Sequence, residues 1–313
     1  MRLLHMTDVH FLGSGAPHRF LGKRFLGMAN LIVRGRRHYF DADTVVPAAI
    51  DDALTHAPDL FCLTGDVTAL SWPEEFDRGR AAFGPLLDSM PSVVVPGNHD
   101  IYTTGAQKEA RMEKTFGAFM AGGTWDEEQG RWVGAPPLGD GAVPWPVRFS
   151  VGPVDIVATN PCRFRPLDAS GRFPDGAIAR AEALVKESRD AGRVVVYMTH
   201  YPVLEPDGSV YTDGGHALED VHELLASLRR APPHLYLHGH KHTAFRQTLT
   251  ADDGSEVVIL GCGTTSSVSP LPERAAGYYL VDLDASGVKR VHRRRRDGET
   301  GGFVDDERLS DPV

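Results

Sequence analysis

The chain has few cysteines, no long apolar run and no excess of positive charge, and each shortage closes off a class of protein. No stretch reaches the roughly 18 consecutive apolar residues that a membrane-spanning helix needs. The opening Met1-Arg2-Leu3-Leu4-His5-Met6-Thr7-Asp8 lacks the apolar core of a secretory signal. Cys62, Cys162 and Cys262 are odd in number and far apart, so they do not read as a disulfide framework. Cys62 lies in an apolar run and is expected to pack as a small hydrophobe. This usage fits a reducing compartment, and the expected location is cytoplasmic. A net charge of −9 offers no general attraction to polyanions, so a nucleic-acid polymer is not an expected partner. What remains is ordinary: 42% hydrophobic and 24% charged residues over 313 positions. That is enough to bury a substantial core without disulfides or structural metals.

Short β-rich apolar runs alternate with amphipathic segments. Strands are expected at residues 2–7, 59–64, 92–95, 147–151, 154–159, 194–198 and 234–237. Helices are expected at 44–56, 73–87, 105–120, 175–191 and 216–230. The first would bury Val46, Ile50, Ala53 and Ala57, with Asp43 as its N-cap. After residue 243 the helical pattern stops, and strands near 245–249, 257–260, 278–283 and 288–293 are joined by turn-forming residues. This order predicts an α/β fold of sheets packed together with helices outside, in a single domain over 1–313. Residues 11–40 form a basic, amphipathic insert. It reads as a surface helix over the core, as a cap over the site or as a lipid-headgroup contact, which leaves peripheral membrane association open. Residues 121–146, rich in Gly, Pro and Trp, read as an ordered loop. The arginines at 293–296 read as a solvated strand end rather than a nucleic-acid patch.

Five polar clusters fall where expected strands end. They are Asp8-Val9-His10, Gly65-Asp66, Gly97-Asn98-His99-Asp100, Thr199-His200 and Gly239-His240-Lys241-His242. Carboxyl ends of strands are where open α/β sheets place their sites. Each cluster alone is a weak signal; the five together are not. Carboxylate, imidazole and amide donors without thiolate suit two divalent or trivalent transition-metal ions such as Mn, Fe, Zn or Co. In Asp8-x-His10 and His240-x-His242 the period-two spacing can aim both side chains one way. Asp66, with two oxygens, can serve two cations, and a pair of cations about 3.5–4 Å apart can clamp a phosphoryl group.

In order and spacing these motifs resemble the calcineurin-like metallophosphoesterase family, over residues 3–242. The resemblance implies an αββα sandwich of two mixed sheets with a dinuclear site at the strand ends. It implies Asp8, His10 and His242 on one metal, Asn98, His200 and His240 on the other, and Asp66 between them. It further implies that His99 contacts the phosphate or protonates the leaving oxygen, and that Asp100 orients His99. Within the family, the compact length and the position of Asp8 look most like the bacterial cyclic-nucleotide phosphodiesterases.

The expected reaction is hydrolysis of a small phosphodiester, a 3′,5′-cyclic nucleotide being one candidate, by metal-activated water with His99 as acid. Alternatives are a UDP-lipid-sugar pyrophosphohydrolase, a phosphomonoesterase, or a non-catalytic scaffold of the same fold. The scaffold is disfavoured because every motif residue is present. Arg163 and Arg165 read either as ordinary surface charge or as candidates for meeting a second charged group on the substrate. Tyr201 reads either as a base-stacking or as a packing residue. His5, His234 and His238 read as structural, and His216 and His222 as surface residues of a helix.

Overall fold

The computed structural model describes residues 1–13, 40–135 and 142–311. Among them the chain runs β1 (Arg2–Met6), α1 (Ala42–Leu54), β2 (Leu60–Leu63), α2 (Pro73–Ala82), α3 (Gly84–Leu87) and β3 (Ser92–Val94). It continues through α4 (Thr104–Lys108), α5 (Arg111–Phe116), β4 (Gly123–Asp126), β5 (Arg131–Val133), β6 (Val147–Val151), β7 (Val154–Ala158), α6 (Ala177–Asp190) and β8 (Val194–Met198). The last part is α7 (Val221–Arg230), β9 (Leu235–His238), β10 (Phe245–Thr250), β11 (Glu256–Gly261), β12 (Gly277–Asp284), β13 (Gly287–Arg296) and β14 (Phe303–Asp305).

Two mixed sheets result. One has the order β14-β13-β12-β1-β2-β3, the other β10-β11-β9-β8-β7-β6-β4-β5. Strands β1, β2 and β3 run parallel, as do β7, β8 and β9. Their carboxyl ends therefore point one way within each sheet. Strands β2 and β8 are buried along their whole length, which is why they read as unbroken apolar runs rather than alternating ones. The pleat still divides them. Val194, Val196 and Met198 of β8 join Leu4, Met6, Leu63 and Val94 in the core between the sheets. Val195 and Tyr197 face the other way, with Ala181 and Val185 of α6 and Leu224 and Leu228 of α7. Helices thus flank the sandwich, and the αββα expectation is met.

Several element boundaries differ from expectation. The first helix starts at Ala42 with Asp41 as its cap, accepting from the Thr44 amide at 3.2 Å. Asp43 is instead ion-paired with Arg78. Ala57 lies past the helix end, exposed and left-handed, rather than on the buried face. The helix expected at 73–87 changes at Phe83 into a separate short turn of helix, and the one expected at 105–120 is broken by left-handed Ala110. The helix expected from 216 begins only at Val221. Part of the expected loop 121–146 forms the β4–β5 hairpin, which extends the edge of the second sheet. The basic run is not a solvated end. Arg293 is fully buried and bonds Asp306 at 2.5 Å, while Arg294 pairs with Asp52 at 2.8 Å. The expectation for the 11–40 insert lies almost wholly outside the described residues. Among the described residues, no helix is long and apolar enough to cross a membrane.

Candidate metal centre

All five polar clusters leave the carboxyl ends of β1, β2, β3, β8 and β9, and they meet where the two sheets abut. The backbone there is unusual. Asp8, His10, Asp66, His240 and His242 all have positive φ between 51° and 71°, a region costly for any residue with a Cβ. Close approach explains the neighbouring glycines. A Cβ on Gly97 would overlap the Asp66 carboxylate, and one on Gly239 would overlap Thr7 and Asp8.

Asp8, His10, Asp66 and His242 each offer a ligand atom, and these atoms all lie within 4.8 Å of one another. His10 Nε2 and His242 Nε2 face each other at 2.9 Å. Asp8 Oδ2 accepts from Thr7 Oγ1 at 2.6 Å and from the His240 amide at 2.9 Å. Asp8 Oδ1 is buried without a hydrogen bond, 3.1 Å from His242 Nε2 and 3.7 Å from His10 Nε2. A bare carboxylate oxygen beside two apposed imidazole nitrogens is costly unless a cation lies among them.

A second set of donors adjoins the first. Asn98 Oδ1 lies 2.9 Å from His240 Nδ1 and 3.1 Å from His200 Nε2, and those two nitrogens are 3.3 Å apart. Asp66 Oδ2 stands between the sets, 3.9 Å from His10 Nε2 and 3.4 Å from His200 Nε2. Main-chain carbonyls turn the rings. His200 Nδ1 donates to Thr64 at 2.7 Å, and His240 Nε2 donates to His216 at 2.8 Å. Each ring is thereby left with its other nitrogen toward the cluster.

The protonation states of His10, His240, Asp8 and Asp66 suit ligands. Burial, with His242 nearby, lowers His10 to about 3, and burial drives His240 well below its ordinary value. Both are neutral imidazoles at pH 7. Burial opposes ionisation of Asp8, but His242 and His200 outweigh it and hold Asp8 near 2. Burial likewise opposes ionisation of Asp66, and His200 and His99 hold it well below the carboxylate range. Burial works against a charged His200, yet Asp66 raises it to about 9.

His99 and Asp100 depart from the expected pairing. His99 Nδ1 donates to the Ala69 carbonyl at 2.6 Å. Asp100 accepts instead from the Thr68 and Gly97 amides, both at 2.9 Å, and from Thr68 Oγ1 at 3.1 Å. It shapes the loop that carries His99 rather than holding the ring. Burial and Asp66 push Asp100 up to about 7. Its three donors favour the carboxylate, and neutralising Asp66 with cations would remove the opposing charge. His99 packs edge-on against His10, with centroids 4.9 Å apart, and Tyr102 stacks on it at 5.0 Å.

The remaining candidates separate. Tyr201 is completely buried, donates to the Ala169 carbonyl at 2.6 Å and packs against the His240 ring at 4.6 Å. It has no face to offer a base, so its role is packing. Arg163 stays partly exposed beside Glu219. His5 and His238 are fully buried, bonded to Thr64 Oγ1 and the Gly239 carbonyl. His216 is exposed but lies before the helix rather than on it. The orienting carbonyls of Thr64, Ala69 and His216 were not legible in the sequence, because any residue type supplies a carbonyl.

Known proteins share this architecture. A purple acid phosphatase from yellow lupin (Lupinus luteus) seeds superposes with a TM-score of 0.51 at 13% identity, over 97% of this chain and 52% of its own. A dimetal phosphatase from Danio rerio gives 0.52 at 14% identity, over 97% and 98%. A 5′-nucleotidase precursor from Thermus thermophilus gives 0.50 at 15%, over 99% and 54%. The chain thus spans about half the length of the lupin and Thermus proteins. At these identities the likeness establishes the fold. No curated protein sequence matches the chain. The sequence model for calcineurin-like phosphoesterases matches residues 1–244. With the fold, the Asp/His cluster and this match in agreement, the chain belongs to the calcineurin-like phosphoesterases, metal-dependent hydrolases built around a dinuclear transition-metal site.

Proposed function

We propose that the chain hydrolyses a small phosphodiester at this cluster, working in the cytoplasm. The observation that carries the reading is Asp66 Oδ2, which faces a histidine of each donor set, at 3.9 and 3.4 Å. In this reading Asp8, His10 and His242 hold one cation, Asn98, His200 and His240 the other, and Asp66 joins them. Two cations so held supply Lewis acidity, neutralising phosphoryl charge and acidifying water.

The protein's own groups do the rest. Asn98 and His99 meet the substrate's phosphoryl oxygens. With Nδ1 donating to Ala69, the Nε2 side of His99 supplies the proton that a departing alkoxide requires. Asp100 fixes the loop between these two residues and Thr68. Arg163, partly exposed on the segment after β7, meets a charged group elsewhere on the substrate. The three cysteines, all free and buried, support the cytoplasmic assignment.

The test is a rate comparison with Mn²⁺-reconstituted protein on bis-p-nitrophenyl phosphate, p-nitrophenyl phosphate, cyclic AMP and a UDP-linked lipid sugar. Faster turnover of the first than of the second supports a diesterase. The reverse order makes the protein a phosphomonoesterase, and dominant turnover of the lipid sugar makes it a pyrophosphohydrolase. Asp66→Ala should lower the content of both metals; two metals per chain in that variant would refute the bridging role.

A further inference from the structure

Three guanidinium groups converge on one carboxylate close to the metal cluster. Glu219 Oε1 lies 2.9 Å from Arg163 Nη2 and is ion-paired as well with Arg165, while Oε2 is 3.9 Å from Arg172 Nη1. Ser170 Oγ approaches the same Oε1 at 3.3 Å and accepts from Arg165 Nε at 3.1 Å. Asp168, 3.6 Å from Arg165 Nε, is a second carboxylate of the group. Asp220 also lies near Arg172, but its carboxylate accepts from the Phe173 amide.

The donors are unevenly served. One oxygen of Glu219 is shared by two guanidiniums and a hydroxyl. The buried Nε of Arg163 has no hydrogen-bond partner among the described residues. A guanidinium fork matches an oxyanion that accepts two parallel bonds, and leaving one of its buried donors unmet is costly. A phosphate, with three free oxygens, can serve donors that a single carboxylate cannot.

Two short paths tie this cradle to the metal cluster. Arg163 follows Cys162, whose Sγ donates to the Pro96 carbonyl at 3.2 Å, two residues before Asn98. Ala169 and Gly171 pair with Gly215 and Ala217, and between those lies His216, whose carbonyl accepts from His240. Glu219 is three residues beyond. The groups are partly exposed, so a ligand from solvent can reach them.

We propose that Arg163, Arg165 and Arg172 form a second oxyanion subsite, in which the Glu219 carboxylate stands in for a second phosphate on the substrate. The substrate class is then a phosphoester carrying another phosphate group a few bonds from the scissile one. This rests on the metal cluster being the site of the reacting phosphoryl group. When the second phosphate binds, it takes over Arg163 and Arg165, and Glu219 yields its place.

The test is calorimetry on the Mn²⁺-loaded protein with alkane diphosphonates of increasing length, each paired with the alkylphosphonate of the same length. These probes cannot be hydrolysed, so the result stands apart from any activity. At the matching length the diphosphonate should bind about tenfold or more tighter than its partner, the worth of charge-assisted bonds to one oxyanion. Arg163→Gln should remove that preference, and Glu219→Gln should enlarge it. A gain in Glu219→Gln cannot come from misfolding. Equal affinities at every length, an undiminished preference in Arg163→Gln, or a reduced one in Glu219→Gln would overturn the subsite. If the calorimetry succeeds but no ester is turned over, the hydrolase reading fails and the subsite stands.

Discussion

In the proposed reaction His99 is the acid, and its orientation comes from a carbonyl rather than from a charge. A neutral acceptor at Nδ1 fixes which way the ring faces. His99→Ala should slow hydrolysis of alkyl esters by roughly 10²–10⁴, the usual worth of a general acid. The loss should be much smaller for p-nitrophenyl esters, whose leaving group needs little help. Steady-state rates on a matched pair of diesters measure the difference; equal losses on both would remove the acid role. Asp100→Asn should act differently, because its carboxylate holds amides of the loop. Weakened binding of the substrate phosphoryl group, rather than selective loss on poor leaving groups, is its expected signature.

At the scale of elements, the site is a set of strand ends whose backbones are bent by close contact. Parallel β1, β2 and β3 deliver Asp8, Asp66 and Asn98 side by side, and β8 and β9 deliver His200 and His240 from the facing sheet. Gly97 allows the β3 loop to press against Asp66. Gly97→Ala should push the Asp66 carboxylate aside and weaken metal binding by at least the few kcal/mol that overpacking costs. Manganese titration would register this, and circular dichroism would show the sheets intact. Unchanged manganese affinity would mean that the loop has room to move. Most elements were legible from apolar runs and turn residues. The misses came where tertiary contacts override pattern. Ala110 turns left-handed in the middle of an apparently helical segment, and the Trp125–Trp132 hairpin finds a sheet edge to extend.

Across the whole molecule, the last segment ties the first sheet together. Strand β12 lies antiparallel to β1, and β13 and β14 extend that sheet outward. Arg293 on β13 is fully buried and bonded to Asp306 and to the Ala275 carbonyl. Asp306→Ala would strand a buried guanidinium and should cost about 3–5 kcal/mol in a denaturant titration. The pH dependence has a definite sign. Burial disfavours the Asp306 carboxylate, but Arg308 and Arg293 outweigh this and lower its pKa. Its stabilisation is thus complete above the unfolded carboxylate value of about 3.9 and is lost as pH falls through the lower folded value. The stability gap between wild type and Asp306→Asn should narrow only below about pH 4. A gap that narrows on approach to pH 7 would contradict the assignment.

The sequence by itself determined the candidate donor types and their order, because metal ligation by carboxylate, imidazole and amide demands particular side chains. It determined most of the central strands as well, since their buried residues are largely apolar. Only the tertiary structure decided which atoms turn toward one another. The left-handed bends at Asp8, His10 and Asp66, the carbonyls behind His99, His200 and His240, and the gathering of three arginines on Glu219 arise from contacts between distant segments. Such contacts leave no local pattern, because a main-chain oxygen is the same in every residue and a guanidinium several bonds long takes its direction from what surrounds it.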